Sequence, residues 1–380
     1  MEETLKSNER YLSFMHGQEV DRPPLQELPP WETTVDKWQE QTGIDREDLL
    51  FWEYECDSEE NPGIDFSMKP GFEETVLHDD DDTFTKTDAM GLVYRQFKKN
   101  RDSSMPEYIF HPVKTPEQWR DIKRRFVPSL DRYPDDWVHK IERWKREGPI
   151  IRLYGWVATY FGGPSLYGFA RMLLGTENLS YAFYDQPSMV HDMMETITVF
   201  TIELFKKALQ EAPVTLVQFW EDMCFNKGPL VSPQLVKTFM LPRYKRITRA
   251  IREAGVDIIF LDSDGLIEEL IPLWMDAGIN GFFPMEQAAG NDIFAYRKKY
   301  GKNLLMSGGI DKRALARGKA AIDGELEEKL PLVQEGGYVP TVDHGIPPDV
   351  SYENFCYYWK KKKELLGIDS VTRSAHHFFW

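Results

Sequence analysis

From residue 149 onward, short runs of apolar residues alternate with longer amphipathic stretches in a regular rhythm. Pro149–Trp156, Val214–Trp220, Val256–Leu261, Ile279–Phe283, Asn303–Met306 and Tyr338–Val342 are strand-like, being short, rich in β-branched and aromatic residues and bounded by Gly, Pro or Asp. Between them lie segments of helical period, among them Leu166–Leu174, Pro187–Glu211, Ser232–Glu253 and a stretch ending at Ala277. Ser232 followed by Pro233, and earlier Thr115 followed by Pro116, are a capping residue with proline at the first helical position. The first hundred residues are less regular. Glu2–Met15 suggests an amphipathic helix, Pro24–Leu28 a first strand, Trp31–Gln41 and Arg46–Glu53 helices, and Gly63–Met68 a second strand. Phe84–Phe97 alternates on both sides of a central Gly, the pattern of a β-hairpin. Six strand-then-helix units and the two early strands make eight. The expected fold is therefore α/β, a (β/α)8 barrel with an N-terminal helical extension and a β-hairpin insertion, with a doubly wound open sheet as the alternative. The open sheet would want a Gly-rich phosphate turn near its first strand, and the sequence has none there. One domain spans 1–380: residues 1–110 hold the early elements, 111–367 the main barrel and 368–380 a tail.

In such a barrel the carboxyl ends of the strands share one mouth. Trp156, Glu221, Asp222, Asp262, Asp264, Glu286, Asp311 and His344 would then converge although they are far apart in the chain. Each has a plainer role open to it. Glu221 and Asp222 can be solvated, Asp264-Gly265 can be a turn, and Glu286 and Asp311 can cap the segments after them. Gathered in one pocket, carboxylates repel unless a cation, a proton or a substrate group offsets them. Carboxylates with one imidazole suit Zn²⁺, Mn²⁺ or Fe²⁺, and Asp262 and Asp264 could both reach one ion. Cys224 reads as packing.

Composition narrows the partners. The chain has 380 residues, 42% hydrophobic and 28% charged, with a formal net charge of −16. That balance argues against nucleic acid or an anionic membrane as a main partner. Three cysteines without paired spacing, no long apolar run and no signal-peptide pattern point to a reducing, cytoplasmic setting.

The segments FWEDMCFNKGPLVSP at 219–233, DIIFLDSDG at 257–265, GGIDKRAL at 308–315 and GGYVPTVDHGIPPDVSYENF at 336–355 resemble the uroporphyrinogen decarboxylase superfamily. Within it they are most similar to the decarboxylase-like branch near the cobalamin-dependent methyltransferases. Asp21-Arg22-Pro23-Pro24 and Asp88–Tyr94 extend the likeness weakly into the first hundred residues. The resemblance implies a (β/α)8 barrel with its site in the mouth. Decarboxylases of the superfamily carry an arginine-rich segment after the first strand; here Leu25–Trp31 has no arginine, so a porphyrinogen bearing eight carboxylates is a poor substrate. The branch that loads coenzyme M holds zinc by a His-x-Cys pair and a later Cys. By resemblance these fall at Asp262, Asp264 and His344, a harder ligand set that suits an oxygen-bearing substrate.

The expected activity is transfer of a methyl group from a small methoxylated substrate, aromatic or not, to the corrinoid of a separate carrier protein. Zn²⁺ or another divalent metal would activate the donor oxygen. Cobalamin would come with the partner, since no Asp-x-His-x-x-Gly motif is present. Glu221, Asp262, Asp264 and His344 are the expected metal ligands, and Asp343 the residue orienting the His344 ring. Trp156, Phe161, Tyr167, Asp222 and Glu286 are the expected substrate contacts, and a homodimer is compatible with the sequence. Two alternatives stay open: a decarboxylase or lyase acting on another substrate, and a non-catalytic tetrapyrrole- or corrinoid-binding protein.

Overall fold

The computed structural model describes residues 4–99, 106–153 and 165–368. In chain order its strands are β1 (Glu59–Glu60), β2 (Thr75–Asp79), β3 (Thr83–Thr87), β4 (Val93–Phe97), β5 (Glu107–Phe110), β6 (Ile150–Leu153), β7 (Leu216–Trp220), β8 (Cys224–Phe225), β9 (Gly228–Pro229), β10 (Ile259–Asp262), β11 (Gly281–Phe283), β12 (Leu305–Ile310) and β13 (Tyr338–Val342). Seven of them form one parallel sheet in the order β1-β6-β7-β10-β11-β12-β13. Helices cover its outer side. The helix Pro187–Glu211 shows why they do so: Met189, Val190, Met193, Met194, Ile197, Phe200, Leu204 and Phe205 repeat at three- and four-residue spacing and are all buried. Each such side chain contributes roughly 1.5–3 kcal/mol of hydrophobic stabilisation.

The expected first strand, Pro24–Leu28, is extended but builds no regular ladder. Pro23, Pro24, Pro29 and Pro30 have no N–H to offer, so continuous pairing is impossible. The segment nevertheless spans the gap between the two edge strands. Next to β1, Asp57 N–H donates to Leu25 O (2.8 Å); on the β13 side, Pro30 bridges Ile346 in parallel and Ile346 N–H donates to Pro29 O (3.2 Å). Where backbone pairing fails, a side chain replaces it. Val342 N–H donates to Glu27 Oε1 (2.7 Å), and the other oxygen of Glu27 accepts from Lys362 Nζ (2.8 Å) and from the Tyr358 hydroxyl. Both side chains of this ion pair are buried, at 0% and 1% exposure, so the pair closes the seam in a dry setting.

The second strand lies at Glu59–Glu60 and not at Gly63–Met68. Its acidic residues carry no apolar alternation because each has a cationic partner, Arg152 for Glu59 and Arg143 for Glu60. Residues 63–68 instead form a loop held by Arg132, whose guanidinium donates to Asp65 O (3.1 Å) and Ser67 O (2.7 Å). The hairpin falls where its alternation placed it. β3 and β4 pair antiparallel, flanked by β2 and β5, and the turn is set by Asp88, whose carboxylate accepts from Met90 N and Leu92 N (2.9 Å each). β12 runs on to Ile310, so Ser307-Gly308-Gly309 lies inside the strand. Glycine is required there: at Gly308 φ is +102°, and a Cβ would stand 1.8 Å from Pro284 O. Among the described residues no helix is long and apolar enough to cross a membrane.

Candidate active site

Strand register decides which residues face the mouth. Asp262, the last residue of β10, pairs across the sheet with Trp220 of β7 on one side and Phe283 of β11 on the other. Residues in register share a face, and the next residue along each strand faces the opposite way. Trp220, Asp262 and Phe283 accordingly line one cleft, together with Leu28, Asp264, Pro284, His344 and Gly345. Its volume is about 50 Å³.

Glu221, one step beyond Trp220, turns away. Its buried carboxylate accepts from the backbone N–H groups of Leu166 (2.7 Å), Tyr167 (2.7 Å) and Gly168 (3.1 Å), from the Ser165 hydroxyl (3.2 Å) and from the Tyr244 hydroxyl. It caps the helix Tyr167–Leu174, taking up N–H groups that have no partner within the helix. Burial pushes this carboxyl up to about 7, against the pull of its backbone donors. Glu221 is thus a clamp, and the expectation that it binds metal does not fit its geometry.

Asp343 is also diverted. Its oxygens accept from Gln287 N (2.8 Å) and Lys312 N (3.1 Å), so it joins the loops after β11 and β12, and neither bond is to the His344 ring. Burial raises it to about 6. Glu286 is tied down as well, accepting from Gly265 N (3.1 Å) and Lys312 Nζ (3.2 Å). Asp222 sits at φ +43°, held there by Arg171, which bonds both its carbonyl (2.8 Å) and its carboxylate (3.1 Å). Tyr167 is buried, with its hydroxyl lacking a partner among the described residues and pushed up to about 12 by burial. Trp156 and Phe161 lie outside the described residues.

What remains at the cleft is a proton-bearing set. His344 Nε2 lies 3.5 Å from Asp264 Oδ2, and its ring packs edge-on against Trp31 with centroids 5.9 Å apart. Its Nδ1 is buried without a partner among the described residues. Burial works against the imidazolium, but the hydrogen bond and charge of Asp264 outweigh it, and the His344 pKa is raised. Asp262 is pushed well above the ordinary carboxylate range by burial, then by the charges of Asp264 and Asp222. Gln218 supports it from inside the barrel. The Gln218 amide donates to Asp262 Oδ2 (3.4 Å), while its carbonyl accepts from Arg152, which in turn holds Glu59 (2.8 Å). Cys224 is buried, with its thiol pushed up to about 12, in keeping with packing.

Among the described residues no three His, Cys, Asp or Glu side chains stand close enough to hold one ion. The expected ligand set of Glu221, Asp262, Asp264 and His344 therefore does not fit a zinc centre, because the lone pairs of Glu221 are committed to the helix terminus.

Sequence reasoning missed Trp220, Phe283, Leu28, Gly345 and Gln218. The available signal was the two-residue period: once Asp262 faces the mouth, its register partners must face it too.

The family model for uroporphyrinogen decarboxylase (URO-D) matches residues 162–365, more than half of the chain. The chain belongs to that family. The uroporphyrinogen decarboxylase of Trichodesmium erythraeum is 22% identical over 199 residues, 51% of this chain and 53% of that protein. The enzyme from Hordeum vulgare is 21% identical over 272 residues, 68% of this chain and 75% of its own. The chain thus spans about half the length of the first of these and three quarters of the second. A methyltransferase from Methanosarcina mazei superposes with a TM-score of 0.56 at 15% identity, covering 95% of this chain and 99% of that one, a likeness of fold.

Proposed function

We propose that this barrel is an enzyme that removes a methyl group from a small methoxylated donor and delivers it to a corrinoid carried by a separate protein. The observation that carries the reading is the pair His344–Asp264 beside buried Asp262 in a small cleft at the strand ends. In methyl transfer from oxygen the C–O bond breaks, its electron pair stays on oxygen, and that oxygen needs a proton. His344 is suited to give it. The Asp264 carboxylate beside Nε2 favours the imidazolium, the form of the ring that can give up a proton. Asp262, whose carboxyl is raised well above its ordinary value by burial, lines the same cleft. The corrinoid supplies the nucleophile when its carrier docks; the residues of the barrel mouth position the donor and move the proton.

A porphyrinogen decarboxylase reading is disfavoured by the same cleft, whose lining among the described residues includes no Arg or Lys to receive substrate carboxylates. The test is methyl transfer from a panel of methoxylated donors to cob(I)alamin, free or on a carrier, followed by absorbance with protein prepared with and without Zn²⁺. Activity in chelator-treated protein, falling at least about 10²-fold in His344→Gln, is expected. Coproporphyrinogen formed from uroporphyrinogen at a rate tracking enzyme would overturn the proposal.

A further inference from the structure

The cations around the mouth are all engaged. Arg171 bonds the carbonyl and carboxylate of Asp222, Lys312 Nζ bonds Glu286, and Arg152 bonds Glu59 and Gln218. The imidazole of His344 faces Asp264. Residues 154–164, which join β6 to the helix clamped by Glu221, read Tyr-Gly-Trp-Val-Ala-Thr-Tyr-Phe-Gly-Gly-Pro and contain no charged side chain. Among the described residues, the side chains lining the cleft are either apolar, Leu28, Trp220, Phe283 and Pro284, or belong to Asp262, Asp264 and His344.

Size determines which part of a donor meets which residue. At about 50 Å³ the cleft is well below the roughly 150 Å³ of a cavity that takes benzene, so it receives a methyl–heteroatom end and leaves the rest of the molecule at the rim. Asp264, 40% exposed, stands at that rim. The charge of the His344 ring is already matched by Asp264, so a carboxylate on the donor would lie beside Asp264 with no counter-ion of its own, a like-charge juxtaposition in a partly dry setting.

We propose that this cleft selects its donor by charge, accepting uncharged or ammonium-bearing methylated compounds and rejecting those that carry a carboxylate. The proposal rests on the cleft being the donor site, and it is read by binding and not by turnover, so that it can stand or fall apart from the methyl-transfer reading. The probes are three ring compounds matched in size: 4-methoxybenzylamine, 4-methoxybenzamide and 4-methoxybenzoate. Titration calorimetry at low ionic strength should show the amine and amide binding at least about tenfold more tightly than the benzoate. Leu28→Arg, which puts a guanidinium on the cleft wall, should reverse that order and strengthen benzoate binding by about tenfold or more. Should Leu28→Arg fail to fold, Asp264→Asn provides the same test, narrowing the gap between benzoate and amide. Benzoate binding as tight as the amide in the parent protein, or no binding by any of the three, would overturn the inference. The expected ranking without methyl transfer would support it and tell against the proposed reaction alone.

Discussion

Asp264→Asn is the substitution that most directly tests the acid role of His344. It keeps the shape of the rim while removing the charge 3.5 Å from Nε2. At that distance two unit charges interact by about 1.2 kcal/mol at a dielectric of 80 and about 2.4 kcal/mol at 40. The upper dielectric range applies because His344 and Asp264 are 32% and 40% exposed. One pKa unit is about 1.4 kcal/mol, so loss of Asp264 should lower the His344 pKa by about one unit. Burial and Lys312 both act downward on this ring and would then weigh against the support that remains from Glu286 and Asp222. If His344 must be protonated, kcat/KM of the parent falls as pH rises through the raised pKa, and in Asp264→Asn that fall begins about one unit lower. Stability follows the same sign. A His whose folded pKa is raised contributes stability below its unfolded pKa of about 6.5, and the contribution is lost as pH rises through the folded value. The assays are the pH–rate profile and an NMR titration of the ring proton, assigned by its absence in His344→Gln. A limb that stays put or moves to higher pH would refute the acid role.

Glu221→Ala leaves three buried backbone N–H groups without their acceptor, and at about 1–3 kcal/mol each, with some relief from entering water, the cost should be about 3–5 kcal/mol. With an unfolding entropy near 0.8 kcal/mol/K for a chain of this length, Tm should fall by about 4–6 °C in a circular dichroism melt, and a change within about 1 °C would rule out the clamp. Gly308→Ala forces a Cβ to 1.8 Å from Pro284 O at φ +102°, and should lose more than about 4 kcal/mol or abolish soluble expression, whereas Gly324→Ala, which meets nothing within 4 Å, should be neutral or slightly stabilising. Equal melting temperatures for these two variants would show that β11 and β12 can part at Pro284 without cost.

The barrel strands from β7 onward were legible because each is a short apolar run closed by Gly, Pro or Asp, and such runs have few other ways to be buried. The N-terminal seam was not. Glu27 lies in the expected strand Pro24–Leu28, but nothing local shows that it substitutes for a ladder hydrogen bond to Val342 and pairs with buried Lys362. Glu59 and Glu60 lie outside the expected second strand Gly63–Met68, yet they form a barrel strand whose side chains end on Arg152 and Arg143. Local pattern records hydrophobicity, and partners distant in the chain decide whether a charge can be buried.

The candidate site shows the same limit at finer scale. The sequence places Trp220, Glu221 and Asp222 together at a strand end, but it does not state the phase of the pleat, and phase alone sends Trp220 to the cleft and Glu221 to a helix terminus. Once phase is known, the carboxylates that miss the cleft acquire a purpose in building it. Gly265, at φ +80°, has its Cα pressed so close to the Cys224–Phe225 backbone that a Cβ would meet it at 2.6 Å, and Glu286 holds its N–H. Lys312 holds Glu286, and Asp343 holds the Lys312 backbone. This chain of contacts leads from Asp343, just past β13, back to the loop bearing Asp264. Lys312, Glu286 and Gly265 thus link Asp343 to the loop of Asp264, so one continuous set of contacts holds the rim around His344.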